Sequence, residues 1–92
     1  MTPEGKIVAF IRKRVKALGG QVRKCSWEGH AGAPDLFVML WGRHFWIECK
    51  APGKFPRESQ LREHEVMRES GGCKVFVADS QETAERILRD EL

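Results

Sequence analysis

The sequence predicts a small mixed α/β domain, a central β-sheet flanked by helices, with the element order α-β-β-β-α-β-α. Three observations carry that prediction. The chain opens with apolar residues at helical spacing: Ile7, Val8, Ile11, Val15 and Leu18. Two short runs rich in β-formers, Asp35 to Leu40 and His44 to Cys49, then follow almost back to back. A third such run, Lys74 to Ala78, lies between two further stretches of helical pattern. At 92 residues the chain suits one domain, since two separate cores would each be too small to fold unaided. It shows no internal repeat, linker or low-complexity tract, so residues 1–92 are expected to pack as one stand-alone unit.

Each element has local punctuation. Thr2-Pro3-Glu4 reads as N-cap, first helical residue and first-turn acid, and Gly19-Gly20 stops the first helix. Gln21 to Ser26 reads as a short strand, broken off by Gly29, Gly32 and Pro34. The Trp41-Gly42-Arg43 region is the turn between the next two strands. Their near-continuous hydrophobicity implies a sheet covered on both faces. Pro52, Gly53 and Pro56 form an irregular loop. A second helix runs from about Arg57 to Ser70 and ends at Gly71-Gly72; after the fourth strand, Asp79-Ser80 caps a last helix in which Ala84, Ile87 and Leu88 face inward.

Composition excludes several classes. With 41% hydrophobic and 32% charged residues the chain is neither disordered nor membrane-spanning, and no apolar run approaches the roughly 20 residues of a membrane span. The N-terminus lacks a signal-peptide core. Three widely spaced cysteines, Cys25, Cys49 and Cys73, make neither a disulfide scaffold nor a CxxC zinc site, and point to a reducing, intracellular setting. Charge is divided along the chain: residues 1–24 hold seven Lys or Arg against Glu4 alone, while residues 79–92 hold two arginines against five acids. A basic front end is a footprint for a polyanion, although most charge runs are solvated helix faces.

The chemistry concentrates in Pro34-Asp35, twelve residues, then Glu48-Cys49-Lys50. If Trp41-Gly42 form a two-residue turn, Asp35 lies opposite Glu48 with Cβ atoms about 4.5–5.5 Å apart. A Gly42-Arg43 turn instead pairs Asp35 with Lys50 and keeps Glu48 on the same face. A three-residue loop with regular strands separates the acids onto opposite faces. Alternation puts Glu48 and Lys50 together and turns Cys49 inward. Hard carboxylate oxygens suit Mg²⁺, which takes one or two carboxylates plus substrate phosphate, and Cys49 can add its backbone carbonyl. A lysine beside them can orient a water and offset charge developing on a phosphate. In outline this is a site for phosphodiester hydrolysis.

Three segments in order, G-A-P-D-L-F, W-I-E-C-K-A-P-G and S-Q-L-R-E-H, resemble the virus-type replication-repair nuclease (VRR-NUC) domain of the PD-(D/E)xK superfamily. The resemblance spans nearly the whole chain. It implies a restriction-endonuclease-like fold and a Mg²⁺- or Mn²⁺-dependent DNA endonuclease. Asp35 and Glu48 would be metal ligands, Lys50 the catalytic lysine, Gln60 a glutamine placed beside the site, and Glu4 an acid completing the metal shell. Cys49 replaces the usual aliphatic residue, which leaves its carbonyl available. Stand-alone members act on branched DNA such as four-way junctions as homodimers, so DNA and a second copy are the expected partners, with no membrane role.

The supporting residues carry weaker signals. Gln60 also reads as an exposed polar residue on a charged helix, and Glu4 as an acid favouring the helix dipole by about 0.3–1 kcal/mol. His64, one turn beyond Gln60, reads as a surface histidine, and His30 as a plain loop residue. Lys6 and Arg12 on the first helix, with Lys54 and Arg57 in the loop, are candidates for DNA-backbone contacts. The Arg12-Lys13-Arg14 cluster wraps around its helix, so only part of it can face one ligand. Trp27, Trp41 and Trp46 are too separated in sequence to define a base-stacking platform.

Overall fold

The computed structural model describes residues 1–92 and has the predicted order of elements: α1 (Pro3–Ala17), β1 (Gln21–Lys24), β2 (Leu36–Leu40), β3 (Arg43–Cys49), α2 (Glu58–Gly71), β4 (Val75–Ala78) and α3 (Gln81–Glu91). Helix α1 starts where Thr2 Oγ1 accepts the Gly5 N–H at 2.9 Å, with Pro3 in the position where its missing N–H costs nothing. Ile7, Ile11 and Val15 form its buried stripe. Gly19, at φ 90°, adopts the left-handed backbone that lets the chain leave the helix. Ser80 Oγ caps α3 by accepting the Thr83 N–H at 2.9 Å. No helix is long and apolar enough to cross a membrane.

The sheet order is β1-β2-β3-β4; the first two pairings are antiparallel, and β3 pairs with β4 in parallel. A parallel neighbour needs a crossover, and α2 supplies it. Between β2 and β3 the turn is Trp41-Gly42, with φ 53° and 78°. Positive φ at both central residues is the hairpin geometry whose twist matches that of the strands. It fixes the register Leu36↔Ile47, Val38↔Phe45 and Leu40↔Arg43. Of the registers compatible with the sequence, this one continues to Asp35 opposite Glu48.

Helices α1 and α3 cover one sheet face. Leu36, Val38, Leu40, Phe45, Ile47 and Cys49 point into that side and join the stripes of both helices in one core. Arg14 clamps the two helices together from outside, donating Nε and Nη2 to the Glu85 carboxylate at 2.8 and 3.1 Å. The other face departs from expectation. Helix α2 lies against β4 and meets β3 at Glu48 through Gln60, and the rest of the second face is more open: Phe37, Met39 and Trp46 are half-buried and His44 is exposed. The strands read as continuously apolar because aromatic residues occupy this face, and hydrophobicity alone does not distinguish a covered aromatic from an open one.

The α1–β1 junction is a tight fit. A Cβ at Gly20 would stand 2.5 Å from the Met39 carbonyl oxygen and 2.8 Å from both Leu40 Cδ1 and Val15 Cγ1. Gly20→Ala is therefore expected to lower unfolding free energy by about 1–3 kcal/mol in urea titrations, the usual range for overpacking.

Candidate active site

The end of the β2–β3 hairpin assembles the site. Pro34 is fully buried, and the Asp35 carbonyl accepts the Cys25 N–H at 2.7 Å, which pins the entry to β2. Asp35 Oδ2 accepts the Cys49 N–H at 2.8 Å, tying the two strands through a side chain. Glu48 lies opposite and is only 1% exposed. The first turn of α1 brings Glu4 to the same point: one carboxylate oxygen from each of Glu4, Asp35 and Glu48 lies within 4.8 Å of the others.

Gln60 explains how a carboxylate can be buried here. It is the third residue of α2, and its Oε1 accepts the Arg57 N–H at 2.7 Å in the manner of a capping residue. Its Nε2 donates to Glu48 Oε2 at 3.0 Å. Lys50 Nζ reaches the same oxygen at 3.1 Å with its side chain 13% exposed. One oxygen of Glu48 thus carries two donors, while Oε1 is buried with no partner. Burial, and then the neighbouring Asp35, push the Glu48 carboxyl above its ordinary value despite Lys50. A hard divalent cation fits this arrangement: three convergent carboxylates, one buried lone oxygen, and negative charge that the local cations do not fully offset. Burial also holds the Cys49 thiol at about 12, so its sulfur stays protonated packing material.

The surroundings divide the other candidates. Arg12 lines a hollow of about 400 Å³ with Glu4 and Asp35, and so does Lys24, for which the sequence carried no signal beyond general basicity. Lys6 is exposed on α1 outside that hollow, and Lys54 and Arg57 are exposed on the approach to α2. Arg14 is taken by Glu85 and Lys13 faces solvent, so the basic cluster is split three ways. His30 Nε2 meets Glu63 Oε1 at 3.1 Å and docks the loop before Asp35 onto α2. Gly32 permits that docking. At φ 102° a Cβ there would lie 2.6 Å from the Ser59 carbonyl oxygen.

His64 corrects the sequence reading. It is 1% exposed, and both ring nitrogens are buried without partners. Burial, then the nearby Arg68, lower its affinity for a proton, so the imidazole is neutral at pH 7. Gln60, His64 and Met67, at i, i+4 and i+7, form the inward stripe of α2. That spacing was present in the sequence, but two polar residues out of three hid it.

Glu48 should destabilise the fold it serves. Its folded-state proton affinity is raised above the ordinary value of 4.5, so its stabilising share is complete below that pH and is lost as pH climbs through the raised value. Without added metal, Glu48→Gln is expected to melt at a higher temperature than wild type at neutral pH. The gap should close as pH falls to about 4.5, which paired thermal melts across pH would measure. Equal melting at pH 7 would contradict the assignment of buried strain to this carboxylate.

Comparisons with known proteins agree with this geometry. No family model matches the chain. A curated relative from Acyrthosiphon pisum secondary endosymbiont phage 1, described as "Putative nuclease p44", is 39% identical over 80 residues, covering 86% of this chain and 85% of its own length. A solved structure described as a VRR_NUC domain superposes with a TM-score of 0.88 at 41% identity, covering 97% of each chain. With the hairpin register, the strand-end acids and both likenesses in agreement, the chain belongs to the VRR-NUC family of nucleases.

Proposed function

We propose that this protein is a Mg²⁺- or Mn²⁺-dependent endonuclease that hydrolyses phosphodiester bonds of branched DNA such as four-way junctions, working as a homodimer. One observation carries the metal-dependent reading: oxygens of Glu4, Asp35 and Glu48 within 4.8 Å of each other, with Glu48 Oε1 buried and unpaired. Asp35, Glu48 and Glu4 would hold the ion, with the Cys49 backbone carbonyl as a further oxygen donor. When bound, such an ion offsets charge on the scissile phosphate and acidifies the attacking water.

The chain's own groups supply the rest. Lys50 has three N–H donors and gives one to Glu48, which leaves two for a water and a non-bridging phosphate oxygen. It can therefore orient the nucleophile and stabilise charge that grows as the P–O bond breaks. Gln60 is a positioning residue: its amide fixes the Glu48 carboxylate and its carbonyl anchors the start of α2. Arg12 and Lys24, in the hollow beside Glu4 and Asp35, suit the phosphates flanking the cut, and Lys6, Lys54 and Arg57 suit the backbone further out. Branched DNA and a two-fold dimer follow from the family resemblance and from the need for two sites to cut a junction symmetrically. Exposed Phe55 and Leu61 near α2 offer apolar surface for a second copy. Free Cys25, Cys49 and Cys73 suit a reducing, intracellular setting.

Cleavage assays on four-way junction, flap, linear duplex and RNA, with Mg²⁺ or Mn²⁺, test the proposal. The junction should be cut fastest, and Lys50→Ala should be about 10²–10³-fold slower. Equal rates for wild type and Lys50→Ala would remove the role given to the lysine. Either ion should also raise the wild-type melting temperature, by about 2.7 kcal/mol of stabilisation at a hundredfold excess over its Kd, and leave Glu48→Gln unmoved. Sedimentation should show a dimer with junction DNA, and a monomer throughout would contradict the symmetric mode.

A further inference from the structure

The same register that faces Asp35 with Glu48 places Phe37 opposite Trp46 and Met39 opposite His44. Side chains alternate, so these pairs share the sheet face of the two carboxylates, the first one step of about 7 Å along the strands. Three of the rings form a cluster. Phe37 and Trp46 have centroids 4.8 Å apart, Phe37 and His44 5.8 Å, and His44 and Trp46 6.0 Å. The cluster is only partly covered, with Phe37 and Trp46 half-buried and His44 exposed, because α2 packs on β4 and brings only its C-terminal end, Gly71, to the hollow beside His44 and Trp46. Three open hollows, of about 420, 420 and 350 Å³, meet at this cluster, and each ring lines two of them.

The rim of these hollows is cationic. Arg23, Lys24, Arg43 and Lys74 line them, against the single acid Glu91, whose carboxylate Lys74 engages at 2.9 Å and whose backbone carbonyl accepts from Arg43 Nη1. Lys24, paired with Leu36 on the edge strand β1, borders both the aromatic hollow and the hollow that holds Glu4 and Asp35, so the two hollows adjoin at that edge of the sheet. Half-buried aromatic rings inside a ring of positive charge match the chemistry of single-stranded nucleic acid, whose bases stack while its phosphates pair with Lys and Arg. A second copy fits poorly, since a two-fold contact through this face would bring like charges together.

We propose that the open sheet face centred on Phe37, His44 and Trp46 is a stacking platform for unpaired bases of the DNA strand that enters the active site. The inference rests on the nuclease reading for its substrate and names the part of a branched molecule that the enzyme grips: the bases freed at the branch point. It follows that Lys24 hands the backbone from the platform to the carboxylates.

The test uses the whole chain in EDTA, so that binding is read without cleavage. Fluorescence anisotropy follows a labelled single-stranded oligonucleotide and a blunt duplex of equal length. His44→Ala, at an exposed position, and Phe37→Leu are expected to weaken single-strand binding about 5- to 100-fold and change duplex binding less than about twofold. Trp46→Phe, which keeps a stacking ring, should bind nearly as wild type while losing most of the tryptophan quenching caused by the oligonucleotide. Folding of each variant is checked by thermal melting. Unchanged single-strand affinity in His44→Ala and Phe37→Leu overturns the platform, as does equal weakening on duplex. So does a wild-type dimer that His44→Ala dissociates with DNA affinity intact, since the face would then belong to a second copy. Failure of the nuclease reading appears separately, as wild-type chain that binds single strands in EDTA yet cuts nothing with Mg²⁺ or Mn²⁺.

Discussion

A two-residue turn governs the chemistry of this domain. With Trp41 and Gly42 both at positive φ, the β2–β3 pairing has no freedom to shift. The side-chain period of a strand is two, so a slip of one residue would exchange the faces of an entire strand. Leu36, Val38 and Leu40 would leave the core, and Asp35 would turn from Glu48 toward the opposite side. The hydrophobic core and the acidic cluster are thus selected by the same register. Burial of six apolar side chains from the hairpin, at roughly 1.5–3 kcal/mol for each large one, resists displacement of the acids. Trp41 occupies a backbone region unfavourable to a bulky residue, and its indole N–H donates to the Leu18 carbonyl at 2.8 Å, which ties the turn to the end of α1.

The second constraint is the burial of Glu48. A carboxylate this far from water survives only with donors, and both of its donors contact the same oxygen. The site is therefore asymmetric: one oxygen is fixed by Gln60 and Lys50, and the other is buried without a partner. Helix α2 makes this possible through a short, economical device. The glutamine that caps its first turn also grips Glu48, so helix initiation and carboxylate orientation share one side chain. The Gly32 approach and the His30–Glu63 contact then press the loop preceding Asp35 against that helix. Glu48 on β3 and Asp35 at the entry to β2 are held by a common support.

Much of this was legible in the sequence for a physical reason. Strand-end acids, a glycine in the turn and caps at Thr2 and Ser80 act locally, and local chemistry survives in linear form. The αβββαβα order, the shared side of Glu48 and Lys50, and the split of the Arg12-Lys13-Arg14 cluster follow from periodicity, whereas Asp35 opposite Glu48 is one of the registers that the turn left open and that the family resemblance favours. Long-range placement does not follow from periodicity. Nothing near Glu85 marks it as the partner of Arg14, seventy-one residues away. His64 looked like surface because imidazole is polar, and only the position of α2 over β4 buries it. The aromatic face looked covered because apolar strands do not state how many helices lie above them. Trp27 and Trp46 seemed too distant to cooperate, yet both line one hollow after the β1–β2 loop folds back.

A division of labour between the two sheet faces ties these findings together. One face, under α1 and α3, is apolar and closed, and supplies the cooperativity that a chain of this size needs. The other side of the sheet, with α2, holds the buried carboxylate of Glu48, the unpaired imidazole of His64 and the half-exposed aromatics. Each would be disfavoured in a fold selected for stability alone. The carboxylate and the aromatics lie within a few residue pairs of the hairpin that the closed face makes rigid. Such a scaffold can tolerate a strained carboxylate because the burial that holds its strands in register lies on the far side of the sheet, in the apolar core under α1 and α3. Substitutions on the closed face should therefore move stability and activity together, whereas substitutions on the open face can separate them.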